Sequence, residues 1–591
     1  MDRDLWYGTS GPPDAKIVVV GESWGREEAA ARKPFIGSSG QELNRLLNES
    51  GIPRHDVLCT NIVAEQPHAN ETFRFFLPKN SHPHTPRVGG LICSDLVNAE
   101  VQRLYRQLSY RPRSLVIATG NWSLWGLSQR TGIQVIRDSN GKRIPDSLQT
   151  YTPTGILNWR GSMIYCEPHR AFGPCPNYPL LPLAHPAAIL RDWPLRAPTL
   201  HDLRDRVPKA LRDDWRPRTP PTTLSPPTFS EATDTLNRWL STPTTLHIAC
   251  DIETLRRQFI SCIGFADSPT FALCIPFIKG QNSDGSFHSH WTTDEEAILI
   301  RLIRRLLLHP QIRLSGQNFI YDTQYIQHWL GATPKLYHDT MLAQNVLFPG
   351  TPKDLGYLSS LYCHYHWYWK DDIKDWSSIG NIQTLLDYNC IDVMRTWEIA
   401  ERQMAYIKAT GQEEQMRFKM RTNDLCLRMM NRGVLIDSSR RGSMLYELQA
   451  AQAGFYSELL QIIPQDLVKP IEKKSDKPWY RSPKQTADLF YDILGMSAVN
   501  HRKTGNRTVG KEALVVLERK YPEFTGLFRR LDYAGSVTNT VNVIQTPIEH
   551  DGRMRCSYNP GGTETHRLSS SENVFGRGTN LQNLTKGEEN D

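Results

Sequence analysis

Five residues near the middle of this 591-residue chain have side chains that could bind metal ions and act on a phosphodiester. They lie in the segments TLHIACDIET, SGQNFIYDTQ and LLDYNCIDVM, and they are Asp251, Glu253, Asp322, Tyr388 and Asp392. Alternate side chains of a strand point to one face, so Asp251 and Glu253 would project together. Residues four apart in a helix share a face, so Tyr388 would point the same way as Asp392, and Asn318 the same way as Asp322.

The predicted chemistry follows from four carboxylates, which we interpret as metal ligands: Asp251, Glu253, Asp322 and Asp392. Hard oxygen ligands suit Mg²⁺ or Mn²⁺, and two such ions can stabilise both the attacking and the leaving oxygen of a phosphodiester. Any one of these carboxylates alone is more simply interpreted as a solvated surface charge. Their order and spacing together predict metal-assisted hydrolysis of nucleic acid.

This set of residues resembles the DEDD family of 3′–5′ exonucleases, in the variant with a tyrosine four residues before the last aspartate. The proofreading domain of family A DNA polymerases is of this type. The resemblance implies an RNase-H-like domain in which Asp251, Glu253 and Asp392 hold one ion, while Asp322 lies near the second. It also implies that Tyr388 orients the attacking water, a task that Glu253 could share, and that Asn318 contacts DNA.

Composition limits the class of protein. Lys and Arg number 69 against 62 Asp and Glu, a net charge of +7 that permits binding to a phosphate backbone without demonstrating it. The eleven cysteines include no C-x-x-C pair, which argues against a disulfide framework and favours a reducing compartment. The first residues lack a basic segment followed by an apolar stretch, and no run of about 18 apolar residues occurs. We therefore expect no membrane partner and a cytoplasmic location, in a bacterium or a phage-infected host.

The amino-terminal third predicts an α/β unit. From Lys16 an apolar strand runs into a glycine turn and a helix, and DVLCTNIV, RSLVIATGN and LPLAHP indicate further strands. Such alternation predicts a parallel sheet with helices on both sides. Ligands bind beyond the carboxyl ends of such strands, where Glu22, Asn61 and His185 would fall, and the loop with Phe35 could close over them.

These four positions resemble the uracil-DNA glycosylase superfamily, most nearly the class whose first motif begins Gly-Glu and continues to Pro-Phe-x-Gly. The resemblance covers roughly residues 10 to 200. It implies that Phe35 stacks on a flipped base and that Asn61 reads the hydrogen-bonding edge of that base. Glu22 would orient water or stabilise the cationic sugar, and His185 would stabilise negative charge on the departing base.

Two departures from that family leave the activity of this domain open. After the glutamate of the first motif the family usually has Pro-Gly, whereas this chain has Ser23-Trp24-Gly25. The bulky side chain of Trp24 could alter the pocket. The first cysteine is Cys59, so we expect none of the iron–sulfur cluster that this class commonly binds. The domain could excise uracil, or it could keep the fold as a DNA-binding or uracil-binding module without cleavage.

The stretch RPRTPPTTLSPPT, between Trp215 and Phe229, contains five prolines and predicts a semi-rigid extended spacer. Downstream, TTDEEAILIRLIRRLLLHP predicts a helix with Thr293 as N-cap and Glu296 completing a capping box. The segment YCHYHWYWKDD holds Cys363, His364 and His366, but structural zinc needs a fourth ligand and none is evident. We therefore assign no zinc site.

The carboxyl-terminal third is predicted to be mostly helical, and its order of helices resembles the thumb of family A DNA polymerases. The segment MRCSYNPGGTETHRLSSSENVFGRGTNLQNL resembles the junction of thumb and palm in that family, except that His566 replaces the commoner glycine. The resemblance implies contacts to a DNA primer–template. The residues implied are Thr563, Thr565, Arg567, Ser569, Gln582 and Asn583, with Arg567 foremost because a guanidinium can bind phosphate or minor-groove acceptors.

We therefore predict an α/β multidomain fold. Its predicted parts are a glycosylase-like α/β domain (1–210), a proline-rich linker (211–228), an exonuclease domain (229–405), and a polymerase thumb with the start of a palm (406–591). Motifs for the polymerase palm and fingers do not occur before Asp591, so we expect a polymerase that is truncated or encoded in two pieces. The DNA partners would be a single-stranded 3′ end and a primer–template.

Two other functions remain open. The chain could be a DNA-binding assembly subunit that completes a split polymerase with a separate palm and fingers subunit, or a uracil-DNA glycosylase acting in repair.

Overall fold

The computed structural model describes residues 5–78, 85–135, 151–281, 286–373, 382–472, 478–501 and 506–583. Within them the chain divides into two compact units, one reaching to Arg421 and the other beginning at Thr422. Both units mix helices with strands, so the fold is α/β and multidomain, as predicted. Among the described residues, no helix combines the length and apolar character needed to cross a membrane.

The first unit opens with an α/β domain whose central sheet has the order β2-β1-β5-β9-β8. Neighbouring strands are parallel except β8 and β9. The strands of this domain are β1 (Ile17–Ser23), β2 (Val57–Val63), β3 (Phe76–Leu77), β4 (Ile92–Cys93), β5 (Leu115–Thr119), β6 (Gly132–Val135), β7 (Tyr151–Thr154), β8 (Ile164–Tyr165) and β9 (Pro179–Leu183).

Helices cover both faces of this sheet. They are α1 (Arg26–Ala31), α2 (Ser38–Glu49), α3 (Asp95–Ser109), α4 (Asn121–Leu127), α5 (Ile156–Trp159), α6 (Pro186–Arg191) and α7 (Arg196–Leu211). The continuous apolar run of β1 explains the arrangement, because a strand buried on both faces needs two apolar layers. Val18 and Val20 pack in one core with α3 and α4, whereas Ile17 and Val19 pack in the other with α2 and α7.

The second part of the first unit is built on a six-stranded mixed sheet of order β10-β13-β12-β11-β16-β17. Strand β11 pairs antiparallel with β12 and parallel with β16. The strands of this sheet are β10 (Thr222–Leu224), β11 (Leu246–Leu255), β12 (Phe259–Ser268), β13 (Phe271–Pro276), β16 (Ile312–Gly316) and β17 (Leu336–Asp339). A separate two-stranded sheet contains β14 (Ile278–Gln281) and β15 (Phe287–Ser289).

The helices of this part are α8 (Phe229–Leu240), α9 (Thr293–Leu307), α10 (Ile320–Tyr325), α11 (Thr340–Leu347), α12 (Leu355–Tyr362) and α13 (Ile382–Ala409). A short 3₁₀ turn spans Lys370–Ile373. Helix α13 lies against β11, β12 and β13, and Leu385, Leu386 and Val393 fill the core between them. This contact positions the candidate site, because α13 and β11 both carry its side chains.

Two local predictions for this part need correction. Within the predicted spacer, β10 pairs with β13 as an edge strand, so that stretch belongs partly to the sheet. The N-cap of α9 is Thr292 with Glu295, one residue before the predicted pair of Thr293 and Glu296. Adjacent threonines and glutamates make both registers possible in the sequence, and the start of the helix decides between them.

The second unit is mostly helical. Its helices are α14 (Glu413–Arg432), which begins before the unit boundary, α15 (Ser438–Ile462), α16 (Gln465–Glu472), α17 (Pro483–Ala487), α18 (Lys511–Lys520) and α19 (Thr525–Gln545). Its strands are β18 (Val434–Leu435), β19 (Arg553–Met554), β20 (Ser557–Asn559) and β21 (Ser569–Ser571). Trp479, Phe490 and Phe528 are buried at the centre of its core.

Candidate active site

Three predicted metal ligands converge between β11 and α13. One carboxylate oxygen from each of Asp251, Glu253 and Asp392 lies within 4.8 Å of the others. Asp251 and Glu253 reach the cluster together because they are two residues apart in β11, and Asp392 faces them from the helix packed on that strand. The spacing rule for the strand pair therefore predicted the geometry correctly.

Tyr388 and Asp392 share one face of α13, as the helical spacing predicted. The Nζ atom of Lys370 lies 2.6 Å from the hydroxyl oxygen of Tyr388 and 2.6 Å from Oδ2 of Asp392. The indole Nε1 of Trp369 donates to the other oxygen of Asp392, Oδ1, at 2.6 Å. Both oxygens of this carboxylate are thus held by one short segment that precedes α13.

Asp322 borders the cluster from α10. It is buried, and its Oδ1 accepts the backbone N–H of Ile252, the residue between Asp251 and Glu253, at 2.9 Å. The hydrogen bond fixes Asp322 against the strand that carries the other ligands.

The predicted helical spacing of Asn318 and Asp322 is wrong, because Asn318 is not part of the helix. Helix α10 begins only at Ile320, and Asn318 adopts a left-handed conformation with φ of 52°. Its backbone N–H donates to Asp339 at 3.3 Å. The sequence signal was misleading because a spacing of four is informative only where both residues are helical.

Asp339 has a structural role beside the cluster. Its carboxylate caps α11 by accepting the N–H groups of Met341 and Leu342, and it also accepts those of Asn318 and Phe319. Burial raises its pKa to about 6, while these four hydrogen bonds act in the opposite direction. The carboxylate therefore joins the start of α10 to the start of α11.

Asn389 and Gly264 complete the site and were missed in the sequence. The Nδ2 atom of Asn389 donates to Oδ2 of Asp251 at 2.9 Å. Gly264 lies opposite Asp251 in β12, and a Cβ there would lie 1.9 Å from Oδ1 of Asn389. The only available signals were an asparagine next to Tyr388 and a glycine inside a strand, which often marks a close approach.

Electrostatics at the cluster favour a bound cation. Burial, followed by the negative charge of Asp392, raises the pKa of Asp251 to about 8. Burial and the neighbouring carboxylates also raise the pKa of Glu253 and of Asp322. A divalent cation would offset this crowding of negative charge, and the all-oxygen donor set suits Mg²⁺ or Mn²⁺. The residues present therefore fit a divalent metal.

The same environment keeps Tyr388 protonated. Burial is the largest cause, and the charges of Asp392, Glu253 and Asp251 add to it, so the pKa of the phenol lies far above its ordinary value. The side chain is accordingly a neutral hydroxyl that can donate a hydrogen bond.

The segment that contains Cys363, His364 and His366 is held in place by packing and hydrogen bonds. Cys363 is buried, and Nδ1 of His366 lies 2.9 Å from the hydroxyl of Ser359. Among the described residues, the metal-capable group of three is that of Asp251, Glu253 and Asp392.

The amino-terminal domain gathers two of its four predicted pocket residues around Gly21. A Cβ at Gly21 would lie 2.7 Å from Nδ2 of Asn61 and 2.7 Å from Cζ of Phe35, so an aromatic ring and an amide close over one point. Asn61 is buried, and its Oδ1 has no hydrogen-bond partner within the described ranges. Phe35 is held there in a left-handed conformation with φ of 56°.

Glu22 and His185 are fixed at the starts of two helices. Oε1 of Glu22 accepts the N–H of Trp122 at 3.1 Å, in the first turn of α4. Nδ1 of His185 accepts the N–H of Ala187 at 3.1 Å, in the first turn of α6, and this bond leaves the ring proton on Nε2. His185 follows β9, two strands from the strand that carries Glu22.

Trp24, the departure from the family motif, is buried and lies against the ring of Tyr7 at 5.5 Å. Its bulk is therefore accommodated by packing within the domain.

The predicted primer–template residues lie in the second unit. Thr563, Thr565 and Arg567 share the loop between β20 and β21, where the hydroxyl of Thr563 donates to the carbonyl of Arg567 at 2.8 Å. Ser569 begins β21. Gln582 is exposed in the turn Leu581–Asn583, and the side chain of Asn583 lies outside the described part.

Comparison with known proteins identifies two domain families in this chain. Residues 9–205 match the model of the uracil DNA glycosylase superfamily, and residues 230–403 match a model described as 3′-5′ exonuclease. The first domain thus has a glycosylase-type fold, and the candidate metal cluster lies in a 3′–5′ exonuclease domain.

The relatives agree with this division. A type-4 uracil-DNA glycosylase of Thermotoga maritima is 48% identical over 10% of this chain and 31% of its own length. A type-4 uracil-DNA glycosylase of Saccharolobus solfataricus is 28% identical over 34% of this chain and 74% of its own length. A DNA polymerase of Bacillus phage SP01 is 20% identical over 95% of this chain, which spans 62% of that polymerase. The chain is therefore related to a phage DNA polymerase along most of its length.

Proposed function

We propose that the central domain is a metal-dependent exonuclease that removes nucleotides from the 3′ end of a DNA strand. The observation that carries this proposal is the convergence of Asp251, Glu253 and Asp392, with oxygens within 4.8 Å, beside the hydroxyl of Tyr388. The match of residues 230–403 to an exonuclease model supports it. The proposed domain limits are 1–210, 211–228, 229–405 and 406–591.

Each residue of the candidate site has a proposed role that follows from its position. Asp251, Glu253 and Asp392, with Asp322 beside them, would hold two Mg²⁺ or Mn²⁺ ions, which when bound stabilise the attacking and leaving oxygens of the phosphodiester. Tyr388, kept neutral by its surroundings, offers its O–H to orient the attacking water. Asn389 and Trp369 hold the oxygens of Asp251 and Asp392 in place.

The test is a double variant in which Asp251→Ala is combined with Glu253→Ala. We expect metal-dependent trimming of an end-labelled single strand to be abolished while the circular dichroism spectrum stays that of the parent. A matched control replaces two exposed aspartates of the same domain, Asp234→Ala with Asp294→Ala, and should trim normally. Unchanged trimming by the folded Asp251/Glu253 variant would exclude the proposed site.

A second activity is favoured by the arrangement around Gly21. Phe35 and Asn61 close over one point, and His185 carries its proton on Nε2, where it could donate to a departing base. We propose that this domain binds uracil in DNA through Phe35 and Asn61, with Glu22 and His185 serving its excision. Formation of abasic sites in uracil-containing DNA, lost in His185→Leu, would show excision. Binding without abasic sites would show a uracil-reading module.

For the second unit we propose the role of a polymerase thumb with the start of a palm. Thr563, Thr565, Arg567, Gln582 and Asn583 would contact a primer–template, and a separate palm and fingers subunit is the proposed partner, in a bacterial or phage-infected cytoplasm. Arg567→Ala should weaken primer–template binding and lower its salt dependence. A polymerase activity that co-purifies with the chain would support this partner. If no palm-bearing protein restores polymerase activity to the chain, the proposal of a separate subunit is contradicted.

A further inference from the structure

One segment of the chain, residues 363–370, contacts the glycosylase-like domain at one end and the exonuclease carboxylates at the other. We call it the bridging segment. It follows α12 and ends at the 3₁₀ turn that begins with Lys370. Neither domain family explains its contacts by itself, because they join the two domains within the first unit.

Helix α7 of the glycosylase-like domain holds the beginning of the bridging segment. Nη1 of Arg206 donates to the carbonyl of His364 at 2.9 Å, and Nη2 donates to the carbonyl of Ser360 at 2.8 Å. Nζ of Lys209 donates to the same His364 carbonyl at 2.7 Å. Arg206 is only 1% exposed, and its guanidinium is shared between these carbonyls and the carboxylate of Asp205, whose Oδ2 lies 2.8 Å from Nη1. Charge-assisted bonds of this kind are among the strongest in proteins.

The turn before β8 holds the middle of the segment. The N–H of Met163 donates to the carbonyl of His366 at 2.8 Å, and the N–H of Tyr368 donates to Oγ of Ser162 at 3.1 Å. Ser162 is fully buried. Backbone groups of the bridging segment are therefore paired with the glycosylase-like domain up to two residues before Lys370.

The end of the segment reaches the exonuclease site. Trp369 donates to Oδ1 of Asp392, while the ammonium of Lys370 donates to Oδ2 of Asp392 and to the hydroxyl oxygen of Tyr388, each at 2.6 Å. Because the phenol oxygen accepts a hydrogen bond from Lys370, its own hydrogen must point in another direction. Lys370 thus holds the phenol oxygen in place and excludes one direction for the hydrogen of the Tyr388 hydroxyl.

We infer that the glycosylase-like domain is a structural support of the exonuclease site, and that Lys370 is the positioning residue through which it acts. This inference rests on the proposed exonuclease function. It assigns the amino-terminal domain a role that needs no contact with uracil: Arg206 and Ser162 hold the bridging segment, and the bridging segment holds Lys370 against Tyr388 and Asp392.

The first test measures kcat and KM for trimming of a labelled single strand by the full chain. Lys370→Met should lower kcat by about 10-fold to 100-fold with an unchanged KM, the size expected when a group that orients a metal ligand is removed. Lys370→Arg should restore part of the loss, since it keeps the charge and donors. Lys408→Met, an exposed lysine at the end of α13, is the matched control and should be neutral. A wild-type kcat in Lys370→Met would overturn the inference.

The second test asks whether the glycosylase-like domain acts through Lys370. Arg206→Met should lower kcat, and the double variant with Lys370→Met should be no slower than Lys370→Met alone, because coupled residues are not additive. Arg204→Met is the control, since Arg204 lies on the same helix but donates to Glu49 within its own domain. Losses that multiply in the double variant would overturn the coupling.

Arg206 is buried and its replacement could unfold the protein, so Ser162→Ala provides a milder version of the same test. It removes the hydroxyl oxygen that accepts the N–H of Tyr368 and should also lower kcat, without adding to the loss in Lys370→Met. An unchanged kcat in folded Ser162→Ala and folded Arg206→Met would overturn the supporting role. If the parent chain itself fails to trim DNA, the proposed function is wrong, which is a separate outcome.

Discussion

The side-chain amide of Asn389 donates to Oδ2 of Asp251 at 2.9 Å, so a helix fixes the orientation of a carboxylate on the neighbouring strand. Asn389 is fully buried and lies next to Tyr388 in α13. The negative charge of Asp251 contributes to the raised pKa of both Glu253 and Asp322. The position of Asp251 therefore affects the whole cluster, and three of the four predictions below concern it.

Removing the amide donor should weaken metal binding. Asn389→Leu keeps a similar volume but leaves Asp251 free to rotate, and loss of a group that orients a metal ligand typically costs about 10-fold to 100-fold in metal affinity or activity. We expect the Mg²⁺ concentration for half-maximal trimming to rise by about 10-fold, measured by titration with EDTA-treated protein. Asn237→Leu, exposed on α8, should behave as the parent. Equal Mg²⁺ dependence in both variants would contradict this role.

A methyl group at Gly264 should disturb the same contact from the other side. Its Cβ would lie 1.9 Å from Oδ1 and 2.9 Å from Cγ of Asn389, so the amide must move. Overpacking of this kind costs about 1–3 kcal/mol. We expect Gly264→Ala to lower the free energy of unfolding in urea and to raise the Mg²⁺ requirement. Gly280→Ala, where a Cβ meets nothing within 4 Å, is the control, and equal stability of the two variants would be the contrary result.

The raised pKa of Asp251 predicts a pH dependence in metal-free protein. The folded state keeps a proton up to about pH 8, whereas an unfolded aspartate loses it near pH 4. Between these values the folded state binds more protons, so the free energy of unfolding falls as pH rises. In EDTA, Asp251→Asn should match the parent near pH 4 and exceed its thermal midpoint increasingly up to pH 8. A difference that does not change with pH would argue against this shift.

A buried ion pair in the glycosylase-like domain should behave as a unit. Arg160 holds Asp202 through two bonds of 3.0 and 2.9 Å, with side chains only 4% and 0% exposed. Arg160→Met leaves a buried carboxylate without its partner and should cost about 3–5 kcal/mol of unfolding free energy in urea. Adding Asp202→Leu should recover much of that loss. A double variant less stable than Arg160→Met would show that the pair is not the cause.

The residue types and their local spacing were sufficient to predict which carboxylates converge in the candidate metal cluster. Asp251 with Glu253, and Tyr388 with Asp392, face the same way because the periods of strand and helix are properties of the backbone and are visible in the sequence. The glycosylase-like sheet with helices on both sides was predictable for the same reason, since a continuous apolar run such as that of β1 requires cover on both faces. The domain matches agree with the two predicted domain families.

Tertiary packing decided the rest. Local spacing misplaced Asn318, because the backbone before α10 is held by Asp339, which is distant in sequence. It misplaced the N-cap of α9 because adjacent threonines and glutamates allow two registers. It could not reveal Lys370, Trp369 or Asn389 as neighbours of the carboxylates, since their contacts arise where a loop and a helix meet a strand. The raised pKa of Asp251 likewise depends on burial and on charges brought together by folding, which no pattern along the chain contains.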